Sequence, residues 1–88
     1  MEIEFDPDKE ATNLAKHGIS LKLAASFQTR TVEWVVRGGE TRLHCLGIVE
    51  GRIYSLTFTF RRNAVRAISL RRAHVKELAD AIERNSGV

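Results

Sequence analysis

Residues 52–76 have the sequence RIYSLTFTFRRNAVRAISLRRAHVK, and this segment sets the architecture that we predict for the chain. Apolar and polar residues alternate on both sides of Arg62-Asn63, a pattern that predicts a strand, a turn, a second strand and the start of a helix. The segment holds six of the ten arginines, together with His74 and Lys76, and has no acidic residue. Because regular structure would hold these cations in fixed positions, we expect the basic strip to bind a polyanion, RNA in particular.

The size and composition of the chain predict one small domain, residues 1–88. No apolar run approaches the roughly 20 residues that a membrane-spanning helix needs, and the acidic start MEIEFDPD is unlike a secretory signal. The single cysteine, Cys45, has no partner for an internal disulfide, which fits a reducing cytoplasm. We therefore expect a cytoplasmic protein that has no membrane partner.

The net charge of +3 is distributed unevenly along the chain. Residues 1–29 carry three lysines against five acidic residues, whereas residues 30–88 carry eleven basic residues against six acidic ones. A basic half beside an acidic half indicates an anionic ligand on one side. A solvated charged surface is the alternative explanation.

Two helices are predicted between a short edge strand, Met1–Phe5, and the main sheet. Asp6 is a candidate N-cap and Pro7 the first position of a helix that ends at His17, with Gly18 beyond it. The predicted buried stripe of this helix is Ala11, Leu14 and Ala15, followed by Ile19 beyond the cap. A second short helix starts after the N-cap Ser20, with apolar positions Leu21, Leu23, Ala24, Ala25 and Phe27.

Four more strands and a final helix complete the predicted fold. The strands are Thr31–Arg37, Thr41–Val49, Arg52–Phe60 and Val65–Leu70, and the turns are Gly38-Gly39, Glu50-Gly51 and Arg62-Asn63. From about Arg72 the period changes to that of a helix, whose apolar face is predicted to be Val75, Leu78, Ala79 and Ile82. The tail Asn85–Val88 is expected to fray.

These elements give the order β-α-α-β-β-β-β-α, which predicts an α+β fold built on an antiparallel meander. We expect helices on one face of the sheet and an open second face. If Glu50-Gly51 is a two-residue loop, Leu43 lies opposite Phe58 on the apolar face, and His44 lies opposite Thr57 on the other face. The predicted polar face comprises Arg42, His44, Thr57, Thr59 and Arg66, with Ile68 opposite Thr57.

Arginines beside a histidine suit the chemistry of a phosphodiester. Guanidinium groups bind phosphate through paired hydrogen bonds and stabilise a pentacoordinate transition state, and histidine can carry a proton near neutral pH. RNA supplies its own 2′-OH as the nucleophile, so a protein needs no metal or other cofactor for this cleavage. The candidate catalytic residues are Arg42, His44, Arg66 and Arg71, and the candidate RNA-binding residues on the strip are Arg61, Arg62, Arg72 and His74.

Alternatives remain open for several of these side chains. His44 is otherwise a strand histidine with no catalytic task, and His74 a residue on the surface of the final helix. Trp34 and Tyr54 could stack on bases, although core positions fit both better, and Cys45 suits a core position. No metal-binding spacing, phosphate loop or nucleophile motif is present, and His44 and Cys45 point to opposite faces of a strand.

The chain also resembles a known family, the BrnT-type toxins. The resemblance lies first in EFDPDKEATNLAKHGISLKLAA, with the specific centre N-x-x-K-H-G-I-S. It continues through Arg42 and Gly47 in TRLHCLGIV, through Gly51, and through RAISLRR followed by Ala73, and it covers about Glu4 to Ile82. Leu70 stands where the family motif has alanine, and the final helix is more apolar than in the family.

The resemblance implies a RelE-like fold and a bacterial toxin that stops translation by cutting messenger RNA, either free or on the ribosome. It also implies a BrnA-type antitoxin, encoded downstream, that inhibits the toxin and gives the complex its operator-binding part. The polar positions matched to the family are Lys16, His17, Arg42, Arg66, Ser69 and Arg71, of which Lys16 joins the RNA-binding candidates. The final helix either packs on the core or offers an apolar surface to the antitoxin.

Two other functions compete with that of a ribonuclease toxin. A binding module without chemistry could hold nucleic acid or a ribosome through the same strip, with an affinity that falls steeply with salt. An interaction protein could instead use the strip to bind an acidic partner protein.

Overall fold

A five-stranded sheet is the centre of the fold in a computed structural model that describes residues 2–86. Met1, predicted to belong to the first strand, and Gly87 and Val88, predicted to fray, lie outside the described residues. Asn85 and Ser86 were also expected to fray, but they belong to the last helix. The elements in chain order are β1 (Glu2–Glu4), α1 (Pro7–His17), a 3-10 helix (Leu21–Ser26), β2 (Gln28–Arg37), β3 (Glu40–Val49), β4 (Arg52–Arg61), β5 (Ala64–Arg72) and α2 (Val75–Ser86).

The strands lie in the order β1-β5-β4-β3-β2. Strands β2 to β5 form an antiparallel meander, whereas β1 pairs parallel to β5 at the edge of the sheet. The prediction of an α+β fold with a mostly antiparallel sheet is therefore confirmed. The parallel pairing of β1 was not predicted, because a strand this short carries no signal for its partner.

Two-residue turns set the register of the meander. Glu50 and Gly51 adopt φ values of 50° and 77°, the left-handed conformations of a turn whose twist matches that of the flanking strands. Across this turn Leu43 lies opposite Phe58 and His44 opposite Thr57, as predicted. Local turn chemistry therefore determines which side chains share a face at the centre of the sheet.

A β-bulge in β5 changes the predicted pairing. Thr57 lies opposite Ser69 and Phe58 opposite Ala67, so Ile68 is an extra residue and the prediction that it lies opposite Thr57 is wrong. The bulge arises because Ala67 and Leu70 are both buried although they are three positions apart, and an even alternation would place them on opposite faces. Beyond the bulge the alternation of β5 is reversed.

The main core lies between one face of the sheet and the N-terminal helices. Leu21 and Ala24 of the 3-10 helix pack on the apolar side chains of β3, β4 and β5. The predicted stripe of α1 is wrong, because Ala11, Leu14 and Ala15 are exposed, and the buried residue of this helix is the polar Asn13. The attachment of α1 therefore depends on polar contacts.

Asn13 binds the backbone of β5 through its side-chain amide. Its Nδ2 donates to the carbonyl oxygens of Leu70 and Ile19, each at 2.8 Å, and its Oδ1 accepts from the Leu70 N–H at 2.9 Å. β1 pairs with β5 only as far as Arg66. The amide therefore takes the place that a neighbouring strand would occupy at Leu70.

Polar capping joins α1 to the 3-10 helix. Asp6 and Ser20 cap the two helices as predicted, and Gly18 ends α1 at a φ of 68°. Glu10 of α1 accepts from the Ser20 hydroxyl at 2.6 Å and from the Leu21 N–H at 2.8 Å. These bonds hold the pKa of Glu10 below its ordinary value.

Helix α2 packs on the second face of the sheet, which was expected to be open. Arg84 of α2 pairs with Glu33 at 2.7 Å, and Glu33 lies opposite His44 on the predicted polar face. The predicted apolar stripe of α2 is also wrong, since Val75, Ala79 and Ile82 are exposed and Ala81 is completely buried. Helix α2 thus covers part of this face, and a cavity opens on the rest.

Candidate functional site

The polar face of the sheet is organised in rows that run across the strands. We use "polar face" for the side of the sheet that carries Glu33, Arg42, His44, Ser55, Thr57, Thr59, Arg66, Ser69 and Arg71. One row contains Thr31, Leu46 and Ser55, which are all buried, and it continues to Arg71 on β5. The next row contains Glu33, His44, Thr57 and Ser69.

A cavity of about 500 Å³ opens on this face. We call it the His44 cavity, and its lining residues are Val35, Arg37, Arg42, His44, Ser55, Thr57, Ile68, Ser69 and Arg71. The bulge at Ile68 is what brings Arg71 here, because without it Arg71 would lie opposite Tyr54 on the apolar face. A backbone irregularity in β5 therefore supplies one of the three arginines that line this cavity.

His44 is half-buried and bound to a serine that the sequence did not single out. Its Nε2 lies 2.5 Å from the Oγ of Ser55, which is itself buried. Burial lowers the pKa of His44 below 6.5, and the positive charge of Arg71 lowers it further. Since the carboxylates of Glu33 and Glu77 oppose this shift only partly, the imidazole is neutral at pH 7 and able to accept a proton.

Arg71 is held by a carboxylate from α2. Its guanidinium donates to both oxygens of Glu77, at 3.1 and 2.9 Å. Glu77 also accepts from the His74 N–H at 3.3 Å, and the bond from Arg71 lowers the pKa of Glu77. With its oxygens so engaged, Glu77 orients the arginine and is a poor candidate for a general base.

Arg42 and Arg66, the other two candidate catalytic arginines, are also paired with acidic side chains. Nε of Arg42 lies 3.6 Å from Glu40, and Arg66 lies 3.5 Å from both Glu4 and Asp6. Nε of Arg42 is buried without a hydrogen-bond partner among the described residues. The basic strip contains no acid in its own sequence, but the fold brings carboxylates to it from β1, from the start of α1 and from α2.

The structure divides the predicted site residues into separate groups. Arg42, His44 and Arg71 share the His44 cavity. A neighbouring cavity of about 550 Å³, here the Arg66 cavity, contains Arg61 and Arg66 and meets the first one at Arg42 and Ile68. Arg62 lines a third cavity with Arg61 and Arg66 at the turn between β4 and β5.

Three predicted RNA-binding residues lie away from these cavities. Arg72 is on the opposite face, with its guanidinium 5.6 Å from the centre of the Tyr54 ring. Lys16 is exposed at the end of α1, and His74 is exposed just before α2. The continuous basic strip of the sequence is therefore split between two faces of the sheet.

Aromatic and thiol side chains also have defined positions. Tyr54 and Cys45 are buried in the core as predicted, and burial raises the pKa of Cys45 to about 11, which keeps it a thiol. The preference for a core position at Trp34 is wrong, because this side chain is 70% exposed on the edge strand β2. Among residues 2–86, no group of three or more His, Cys, Asp or Glu side chains is placed to hold a metal ion.

Sequence reasoning missed Asn13, Arg37, Ser55 and Glu77. Asn13 is the first residue of the family-like motif N-x-x-K-H-G-I-S, but the sequence did not predict that its side chain binds β5. The spacing of Ala67 and Leu70 was an available signal for the bulge. No sequence pattern pairs Glu77 with Arg71, because that contact depends on how α2 turns back over the sheet.

Together, the sheet and its cavities define a small basic α+β protein whose polar face suits a phosphate-bearing ligand. A family model described as "Ribonuclease toxin, BrnT, of type II toxin-antitoxin system" matches residues 5–77. The solved crystal structure of the Brucella abortus ribonuclease toxin BrnT is similar, with a TM-score of 0.59 and 27% sequence identity. The likeness covers 84% of this chain and 97% of that one.

The chain therefore belongs to the BrnT family of ribonuclease toxins from type II toxin-antitoxin systems. An antitoxin partner and an RNA substrate follow from this membership at the level of the family. A search of curated proteins gives no match. Over residues 2–86, no helix has both the length and the apolar character needed to cross a membrane.

Proposed function

We propose that the chain is a metal-independent endoribonuclease, and that the His44 cavity is its active site. The observation that carries the proposal is a half-buried histidine, with its pKa lowered, in a cavity of about 500 Å³ beside Arg42 and Arg71. A cavity of this size lies within the range of small-ligand sites. The family description as a ribonuclease toxin supports the same reaction class.

His44 accepts the proton of a ribose 2′-OH, and the freed oxygen attacks the adjacent phosphorus. The bond from phosphorus to the 5′-oxygen breaks, and the leaving oxygen takes a proton from water. The products are a 2′,3′-cyclic phosphate and a 5′-OH. Arg42 and Arg71 stabilise the additional negative charge of the pentacoordinate transition state.

Arg71 can exchange one anionic partner for another during this reaction. Its two hydrogen bonds to Glu77 have the forked geometry that a phosphate also accepts. Phosphate binding to Arg71 therefore competes with Glu77, which otherwise keeps the guanidinium near His44. Arg61 and Arg66, in the Arg66 cavity, bind the neighbouring phosphate of the RNA.

The biological roles proposed with this activity follow the resemblance to the family. The toxin inhibits translation by cutting messenger RNA in the cytoplasm, free or on the ribosome. A BrnA-type antitoxin neutralises it and carries the complex to operator DNA. The fold is proposed to be RelE-like.

The test is cleavage of a short RNA by the purified chain in the presence of EDTA. We expect new ends with a 2′,3′-cyclic phosphate, and no cleavage where the attacking ribose is replaced by 2′-deoxyribose. Arg71→Ala should lower kcat by about 100-fold or more, as expected for the loss of a transition-state donor. Arg52→Ala is the matched control, since Arg52 is exposed and lies outside the His44 cavity.

Binding without cleavage would contradict the proposal and support the binding module instead. Cleavage that depends on an added divalent cation would contradict its metal-independent part. Cleavage by Arg71→Ala at the rate of Arg52→Ala would place the active site outside the His44 cavity.

A further inference from the structure

The outer edge of β2 has no neighbouring strand in the described part of the chain. β2 spans ten residues, Gln28–Arg37, and pairs only with β3 at the end of the sheet. An unpaired strand of this length presents a row of backbone N–H and C=O groups that can pair with another chain. Natural proteins usually shorten or cover such an edge, so a long exposed one indicates a binding surface.

Apolar side chains next to this edge are also exposed. Trp34 and Val36 are each 70% exposed, and Val32 is 45% exposed. All three lie on the apolar face of the sheet, because Val32 and Trp34 are opposite the core residues Cys45 and Leu43. We call these three side chains, with the free edge of β2, the β2 surface.

The β2 surface is exposed because the N-terminal helices pack near the opposite edge of the sheet. α1 contacts β5, and the 3-10 helix contacts β5 and β1. α2 contacts β2, but from the polar face, through Arg84 and Glu33. Within residues 2–86, no element therefore covers these neighbouring apolar side chains on the edge strand.

Charge at the two ends of β2 favours an acidic partner over a second copy. Exposed arginines stand at both ends, Arg30 at a bulge and Arg37 at the last position. Glu33, the acidic residue between them, lies on the polar face, where Arg84 pairs with it. A second copy of a chain with a net charge of +3 would bring its own arginines to the same edge, and like charges oppose such contact.

We propose that the β2 surface binds an extended segment of the antitoxin, which adds as a sixth strand beside β2. Alternate apolar side chains of that segment pack on Trp34 and its neighbours, and its carboxylates meet Arg30 and Arg37. Binding to the β2 surface rests on the membership of a toxin-antitoxin family, whereas the way in which binding inhibits the toxin rests on the proposed active site in the His44 cavity.

The position of Arg37 links this surface to the His44 cavity. Arg37 ends β2 and also lines that cavity. A carboxylate of the bound segment that pairs with Arg37 therefore stands where the RNA phosphate would enter. The segment can neutralise the toxin from the edge of the sheet without filling the cavity.

The test measures binding of the full-length chain to the antitoxin encoded beside it, by calorimetry. Trp34→Glu places a charge against the proposed apolar contact and should raise Kd by at least about 30-fold, as expected for a central aromatic contact. Val75→Glu is the matched control, because Val75 is 72% exposed on α2, away from β2, and its Kd should stay within about twofold. Hydrogen exchange should show new protection in residues 31–37 of the wild-type complex.

Three results would overturn the proposal. These are wild-type affinity in Trp34→Glu, no new protection in β2, and no binding of the antitoxin to the wild-type chain. A dimer of the free chain that dissociates on Trp34→Glu would assign the surface to a second copy and would also overturn it. RNA cleavage by free Trp34→Glu should equal that of the wild type, so a failure of the proposed ribonuclease activity appears in the cleavage assay and a failure of this proposal in the binding assay.

Discussion

His44 combines a hydrogen bond to Ser55 with partial burial and a nearby cation. Burial and Arg71 both lower its pKa, while Glu33 and Glu77 raise it and the more distant Arg84 lowers it. In the unfolded chain the imidazole would titrate at its ordinary pKa of about 6.5. The folded chain therefore binds fewer protons at this group than the unfolded chain when the pH lies between the lowered pKa and about 6.5.

Cleavage by a neutral His44 should persist at mildly acidic pH. We expect kcat/KM to be constant down to below pH 6.5 and to fall only when His44 becomes protonated at its lowered pKa. His44→Gln should reduce kcat by about 100-fold or more and remove this acid limb. The pH profile of both proteins, measured with one RNA substrate, checks the prediction.

The lowered pKa of His44 also predicts how the free energy of unfolding depends on pH. Because the folded pKa is lowered, the contribution of His44 to the free energy of unfolding is complete above pH 6.5 and is lost as the pH falls through the lowered pKa. Urea unfolding of the wild type and His44→Gln between pH 5 and 8 should show this difference. An acid limb in activity above pH 6.5 would contradict both predictions.

Removal of the negative charge of Glu77 should change both the affinity for RNA and the pKa of His44. Glu77→Gln takes away the charged competitor for Arg71, so we expect RNA to bind about three- to tenfold more tightly, which corresponds to a partly exposed ion pair. Loss of the negative charge should also lower the pKa of His44 further. Equilibrium binding at constant salt tests the first effect, with the exposed turn residue Glu50→Gln as a control.

At the scale of elements, α1 is attached by the amide of Asn13 more than by apolar burial. Asn13→Ala would leave the N–H and C=O of Leu70 without partners in a buried position, at a cost of about 2–4 kcal/mol. Leu14→Ala is the matched control, since Leu14 is exposed and should change stability by less than about 1 kcal/mol. Urea unfolding monitored by circular dichroism compares the two.

Gly47 is required because the residues after the 3-10 helix pack closely against it, and not because of its own backbone angles. A Cβ at this position would lie 2.3 Å from the ring of Phe27 and 2.6 Å from the carbonyl oxygen of Gln28. Gly47→Ala should therefore destabilise the fold by about 1–3 kcal/mol. Phe27→Leu should relieve part of this loss, so a double-mutant cycle should show coupling between the two sites, whereas additive effects would contradict the steric explanation.

The sequence predicted those features that depend on nearby residues. The Glu50-Gly51 turn fixed the pairing of β3 with β4, and the caps at Asp6 and Ser20 fixed the helix starts. The prediction of the buried face of α2 was wrong because two different sets of residues have the same helical spacing. The small Ala81 was less conspicuous in the sequence than Val75 and Ile82. Trp34, the bulge at Ile68 and the Arg71–Glu77 pair depend on tertiary packing, which no local pattern contains.

At the scale of the whole molecule, RNA binding should depend on salt in proportion to the phosphates contacted. For single-stranded RNA, log K should fall with log salt by roughly 0.7 for each contact. Arg66→Ala should therefore reduce the slope by about 0.7, and Arg52→Ala should leave it unchanged. Titrations between 50 and 200 mM salt measure the slopes, and equal slopes for wild type and Arg66→Ala would exclude Arg66 from the phosphate contacts.

The amide of Asn13 also determines how far this sheet can grow. On its side the sheet ends in β1, which has three residues, and the backbone of β5 beyond it is bound at Leu70 by Asn13. Filament growth by strand addition needs two free edges on every molecule, and over residues 2–86 this chain has one long edge, at β2. Copies of this chain can therefore pair with each other once, through two β2 edges, and cannot continue into a filament.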